Sequence, residues 1–251
     1  MPKMLSVDLN CDMGEGCGND AELMDFVSSV NVACGFHAGD AATMRKTVET
    51  AVEKGVAIGA HPSFPDRAGF GRTAMKLPAH EVYEIVGEQI AALRQICVAV
   101  GAKLCHVKPH GALYNQAARD EELANAISKA VRDIDKDLMI FGLAGSTLID
   151  AAKKQGMLTA CEVFADRTYQ PDGSLTPRSE LNALIHDTNT AVAQVLQMVK
   201  NKIVTATDGR SIPISADTIC IHGDGDNALE FAKAVRHKLI ENGVTINAIN
   251  G

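Results

Sequence analysis

Short apolar runs alternate with longer amphipathic stretches along this chain, and few folds accept that rhythm. The runs are MLSVDLN, the residues near Val30 to Cys34, GVAIGAHP, AKLCHVKPH, DLMIFGLAG, MLTACEVFADR and ADTICIHGDGD. They are short, often β-branched and not cleanly alternating, as strands buried on both faces of a parallel sheet should be. The stretches between them repeat at 3.6 residues. In DAATMRKTVETAVEKG, Asp40 is placed to cap, Met44, Val48, Ala51 and Val52 share a face, and Gly55 can end the helix. PAHEVYEIVGEQIAALRQICVAVG brings Val82, Ile85, Val86, Gln89, Ile90, Leu93 and Cys97 together, and Asp120 can cap the helix that carries Leu123, Ile127, Val131 and Ile134. Strand then helix throughout means βα units, closed as a barrel or left as an open doubly wound sheet. A dinucleotide GxGxxG opening and a P-loop are both missing. The expected fold is therefore an irregular (β/α) barrel of about seven mostly parallel strands, in one domain spanning residues 1–251. ATDGRSIPISAD breaks the repeat as a hairpin around Asp208-Gly209.

Composition narrows the function classes. Hydrophobic residues make up 46% of the chain but aromatics only 4%, with no Trp, so aliphatic residues and Met must fill the core. The net charge of -7 gives no long-range attraction to nucleic acid or anionic lipid. No apolar run is long enough to span a bilayer. The seven cysteines are scattered, and no apolar leader precedes the first strand, so free thiols and a cytoplasmic location are expected.

Polar residues gather where the apolar runs end. DLNCDMGEG supplies Asp8, Asn10, Asp12 and Glu15; NVACGFHAGD supplies Asn31 and His37; GAHPSFPDRAGFGR supplies His61, Asp66, Arg67 and Arg72. HVKPHGALYN adds His106, Lys108 and His110, EVFADRTY adds Glu162, Asp166 and Arg167, and IHGDGD adds His222 and Asp224. In a βα architecture these loops meet at one end of the sheet, where active sites are built. Loops need polar residues for caps and solvation anyway, so one such segment would mean little. Several in succession indicate a pocket. Asp12 or Glu15 can serve as a general base, since close carboxylates raise each other's pKa. The same carboxylates could instead offer oxygen ligands to Mg²⁺, although EF-hand spacing is absent. Asp12, His37 and His61 are the candidate ligands should a metal be bound. No CxxC pairing supports a structural zinc.

The ordered segments VDLNCDMGEG, NVACGFHAGD, GAHPSFPDRAGFGR, HVKPHGALYN, EVFADRTYQPDGSLTPR and CIHGDGDNAL resemble the LamB/YcsF family over essentially the whole chain. The resemblance implies a barrel similar to the NodB-like polysaccharide deacetylases. It implies the cytoplasmic A component of ATP-dependent 5-oxoprolinase, a cyclic amide hydrolase opening 5-oxo-L-proline to L-glutamate. The B and C subunits would be its partners, with ATP as co-substrate and Mg²⁺ as the ATP counter-ion rather than a bound catalytic metal. The matched motifs carry over Asp12, Glu15, His61 and His110 as catalytic candidates. Asp8, Asn10, His37, Lys108, Glu162, Arg167, His222 and Asp224 are candidates for binding substrate or phosphate. Lys108 and Arg167 would clamp the anion, and the backbone of Gly223 and Gly225 would form an oxyanion site. The chain departs from the family pattern at Leu181-Asn182, where a glycine is usual, and in GFGRT, which lacks a second arginine; Asn can occupy a left-handed turn at modest cost, so altered loop detail rather than loss of activity is expected. Two other readings stay open: a stand-alone metal-dependent amidohydrolase or deacetylase, and a non-catalytic docking or carboxylate-binding component. Self-association is open too.

Overall fold

The computed structural model describes residues 5–223 and 228–249. In chain order the strands are β1 (Leu5–Met13), β2 (Ser29–Ala33), β3 (Ala57–His61), β4 (Leu104–Val107), β5 (Met139–Leu143), β6 (Leu158–Phe164), β7 (Ile203–Thr205), β8 (Ser211–Pro213), β9 (Thr218–Ile221) and β10 (Val244–Ile246). The apolar runs identified in the sequence are β1 to β6 and β9. Each pairs in parallel with the next, and β1 pairs with both β2 and β9, so the sheet closes into a seven-stranded barrel. β7 and β8 form the expected antiparallel hairpin. β10, not anticipated, adds to the outer end of β1 through Leu5, Ser6 and Val7. It is only three residues long, too short to stand out as a periodic signal.

The helices are α1 (Asp20–Leu23), α2 (Ala41–Lys54), α3 (Ala79–Ala99), α4 (Gly111–Ala117), α5 (Glu121–Ile134), α6 (Thr147–Lys154), α7 (Thr188–Leu196) and α8 (Ala228–Glu241). Asp40 and Asp120 cap α2 and α5 as expected, accepting from the N–H groups of Thr43 and Leu123. Gly55 ends α2 at φ 68°. Val52, expected on the buried face of α2, is 48% exposed. It lies at the edge of the apolar stripe, one position beyond Ala51, and the stripe is narrow enough to leave it in solvent. α7 continues into a π-helical turn at Gln197–Asn201 that stops at Lys202, which is left-handed.

β1 explains the layering. Its odd residues Val7, Leu9, Cys11 and Met13 join the hydrophobic core. Its even residues turn the other way and meet polar partners from other strands. Asp8 accepts from the hydroxyls of Ser29 and Thr218, and Asn10 donates to Glu162 and Thr218. Asn31 donates to Asn10 and Asp12, and His106 contacts Asn31 while stacking on Phe141 at 4.0 Å. The barrel interior therefore holds a hydrogen-bonded polar column beside a small apolar cluster of Met139, Phe141 and Ala160, while the main apolar core lies between barrel and helices. Buried polar groups of this kind must be mutually satisfied. Among the described residues, no helix is long and apolar enough to cross a membrane.

Candidate active site

The polar column ends at the C-terminal mouth of the barrel, in a cavity of about 950 Å³. β1 delivers Asp12 and the following turn delivers Glu15. β3 ends in His61, the segment after β4 carries Lys108 and His110, and His222 follows β9; all line the cavity. The sequence expectation of convergence at the strand ends is met by these six side chains.

Lys108 sits at the bottom, 2% exposed. Its ammonium lies 2.9 Å from Asp12 Oδ1 and 2.9 Å from Glu162 Oε1, and donates to Asn10 Oδ1 at 3.2 Å. Burial alone would lower its pKa, but the Asp12 charge, with smaller help from Glu162, holds it well above the ordinary lysine value. Burial likewise works to raise Asp12, yet His61 and Lys108 outweigh it and hold the carboxyl well below the usual range. Glu15 goes the other way: burial, then the Asp12 charge, push it up to about 7. Two carboxyls on one rim thus differ in character, one firmly ionised and one able to exchange a proton near neutrality.

Three histidines pack beside Glu15. His61 Nδ1–H donates to the Lys108 carbonyl at 2.7 Å, and His110 Nε2–H donates to the Phe70 carbonyl at 2.9 Å. Their other nitrogens face each other, His61 Nε2 to His110 Nδ1 at 2.9 Å. His37 stacks on His110 at 3.8 Å and places Nε2 2.9 Å from Glu15 Oε1. It is 1% exposed and does not line the cavity. Burial lowers the His37 pKa to about 4. The loop after β3 sets this geometry. Phe70 is left-handed at φ 53°, which presents its carbonyl to His110. Gly111, at φ 55°, approaches the Gly71 carbonyl so closely that a Cβ would collide with that oxygen. Only glycine permits this contact.

Other anticipated residues fall elsewhere. Asp8, Asn10 and Glu162 are fully buried in the column below the cavity. Asn10 and Glu162 hold Lys108 rather than lining the cavity, and Asp8 joins this network through Thr218. Arg167 lines it, but its Nη2 and Nε donate to the carbonyls of Thr176 and Ala183, so these donors brace the loop after β6. Gly223 reaches the rim, whereas Asp224 and Gly225 lie outside the described residues. Asn182 is not left-handed: among the described residues only Phe70 and Lys202 are non-glycines with positive φ. Its carbonyl accepts from Thr168, and the neighbouring Leu181 is fully exposed.

Some members of the site were not among the candidates. Asp166 accepts from His222 Nδ1–H at 2.8 Å; burial would raise its carboxyl, but His222 and Arg178 bring it below the ordinary value. Arg178 Nη2 donates to His222 Nε2 at 3.0 Å. Arg178 lines the cavity together with Arg72 and Arg119, and Asp120 and Glu121 line it as well. Asp166 stood at a strand end in the sequence, but only the fold pairs it with His222, 56 positions away. Cys220 touches the Lys108 ammonium at 3.1 Å, but burial raises its thiol pKa well above normal, so it is no thiolate nucleophile.

Comparison with known proteins agrees over the full length. The profile of the LamB/YcsF family matches residues 7–251. A protein of Tolumonas auensis, named as the A subunit of 5-oxoprolinase, is 57% identical, covering 98% of this chain and all of that one. The crystal structure of the lactam utilization protein from Thermus thermophilus superposes with a TM-score of 0.92 at 44% identity, covering 98% of this chain and 100% of that one. The T48 deacetylase shares the fold alone, with a TM-score of 0.52 at 16% identity over 97% of this chain and 87% of that one.

Proposed function

The chain belongs to the LamB/YcsF family, and from that premise we propose that it is the A subunit of a 5-oxoprolinase, hydrolysing the lactam of 5-oxo-L-proline to L-glutamate. The single observation that carries this is the relative at 57% identity over 98% of this chain. The geometry supports it. The substrate is a small anion with an inert amide, and the cavity is lined by arginines as well as by carboxylates and imidazoles.

The proposed division of labour follows from the partners of each side chain. Arg178, with Arg72 and Arg119, holds the substrate carboxylate or a phosphoryl group. Glu15, His61 and His110 position the attacking water. Asp12, ionised and facing the cavity, takes the water proton. His222, its Nδ1–H held on Asp166, takes up a proton at Nε2 when Arg178 leaves it for the substrate, and passes that proton to the departing ring nitrogen. The partner B and C subunits supply ATP-dependent activation of the lactam carbonyl, with Mg²⁺ accompanying the ATP. The cavity volume of about 950 Å³ exceeds what a five-membered lactam needs and accommodates an activated, phosphorylated form, whose opening leaves an acyl phosphate that a second water hydrolyses to L-glutamate and inorganic phosphate.

The test is ATP-dependent glutamate release from 5-oxoproline by the chain alone, by a B–C pair alone, and by the mixture. Turnover in the mixture only is expected. Absence of glutamate from the mixture, or full turnover by the B–C pair without this chain, would refute the assignment.

A further inference from the structure

The contact between His61 and His110 is electrostatically unbalanced as it stands. Backbone carbonyls only accept hydrogen bonds, so Lys108 O and Phe70 O fix the N–H groups of these two rings on their outer nitrogens. When both rings are neutral, the inner nitrogens present lone pairs to each other at 2.9 Å. Glu15 Oε1 is aimed at the same point, 3.4 Å from His110 Nδ1 and 3.8 Å from His61 Nε2. Asp12 Oδ2 stands 3.3 Å from His61 Nε2. Electron-pair donors converge here from four side chains, and something positive must sit among them.

We propose that Glu15, His61 and His110 form a binding site for a divalent transition metal of the zinc class. The donor atoms of these residues and of His37 all lie within 4.8 Å of one another. Ligands at ~2.0–2.1 Å around a tetrahedral ion are about 3.3 Å apart, and the three separations of 2.9, 3.4 and 3.8 Å bracket that spacing. Each histidine gives its outer N–H to a carbonyl, the arrangement that orients metal-binding imidazoles. His37 is assigned a supporting place. Its ring lies parallel to His110, within 6°, so one ion cannot lie in both ring planes. Its Nε2 holds Glu15 instead, and its Nδ1 is buried without a hydrogen-bond partner. All three proposed ligands line the cavity while His37 does not, so the remaining coordination position opens toward substrate. Three protein ligands and one open position is the pattern of hydrolytic rather than structural metal sites.

A second group, Asp12, Cys220 and His222, has donor atoms equally close together. It is the weaker site because Lys108 already occupies Asp12 Oδ1 and Cys220, and Asp166 and Arg178 engage both nitrogens of His222.

The test titrates the chelator-treated full chain with Co²⁺, followed by displacement with Zn²⁺. One Co²⁺ per chain is expected, with visible d–d absorption and no thiolate charge-transfer band. Glu15→Gln and His110→Gln should each weaken Co²⁺ binding by more than ~100-fold, and His37→Gln by ~10–100-fold, as for an outer partner. Near-ultraviolet circular dichroism checks that each variant is folded. Should His110→Gln unfold, Glu15→Gln on the cavity side carries the test. No stoichiometric uptake would overturn the proposal. A thiolate band would move the metal to Cys220, and unchanged affinity in Glu15→Gln would remove the assigned ligand. The readout needs no turnover. A chain that takes up no metal yet supports glutamate release sinks this inference alone; a metal-binding chain in an inactive mixture sinks only the proposed reaction.

Discussion

Replacing Lys108 with methionine separates two ideas about the centre of the site. If Lys108 clamps substrate, its loss should raise KM and leave the fold intact. The structure points to the opposite balance. The ammonium is 2% exposed and lies 2.9 Å from each of two buried carboxylates, Asp12 and Glu162. Methionine fills a similar volume but leaves those carboxylates facing each other across an apolar side chain. Removing one partner of a buried ion pair costs about 3–5 kcal/mol, because the remaining charge is uncompensated. For a chain of this size, each kcal/mol lowers the melting temperature by roughly 2–4 °C, so Lys108→Met should melt roughly 6–20 °C below the parent. The double variant Lys108→Met/Glu162→Gln removes one of the stranded charges and should recover about half of the loss or more. Calorimetry and urea denaturation on the four proteins of the cycle provide the assay. A single variant within about 1 kcal/mol of the parent, or a double variant no better than the single, would refute the view of Lys108 as the cation that permits two carboxylates inside the barrel.

Arg178→Ala should leave stability nearly unchanged and reduce kcat/KM by ~10–150-fold, since a hydrogen bond to a charged group is worth about 1.5–3 kcal/mol; steady-state kinetics of the reconstituted complex checks it. Asp166→Asn should let His222 adopt the wrong tautomer and lower kcat by ~10²–10⁴ with KM little changed, and an unchanged kcat would remove His222 from proton transfer. Gly111→Ala combines a left-handed residue with a clash against the Gly71 carbonyl, so a loss of about 1–3 kcal/mol by thermal melting is expected, together with a larger fall in activity as His110 shifts.

The barrel strands were legible because each is an apolar run bounded by turn residues, and the caps Asp40 and Asp120 were legible because capping is local. The convergence of Asp12, His61, Lys108 and His222 followed from the rule that βα loops meet at one end. The roles within that rim were harder to read. Lys108 and Arg167 looked like anion clamps because a basic residue at a strand end is ambiguous until its partners are known. The two carboxylates that hold Lys108, Asp12 and Glu162, stand far from it along the chain, and the carbonyls that hold Arg167 come from a loop without periodicity. Arg178 stood outside every strand end and was overlooked for that reason. His37, grouped with Asp12 as a candidate ligand, turns out to face Glu15, because Lys108 and Asn31 hold Asp12 from below.

The touching backbones of Gly71 and Gly111 carry a consequence for assembly. The carbonyl that orients His110 belongs to a residue 40 positions earlier, on a loop pinned by glycine-to-glycine contact with the start of α4. No fragment ending before β4 can build this pair of imidazoles. The reactive pocket must therefore mature late, after neighbouring strands have docked, and a nascent chain should be inert until then.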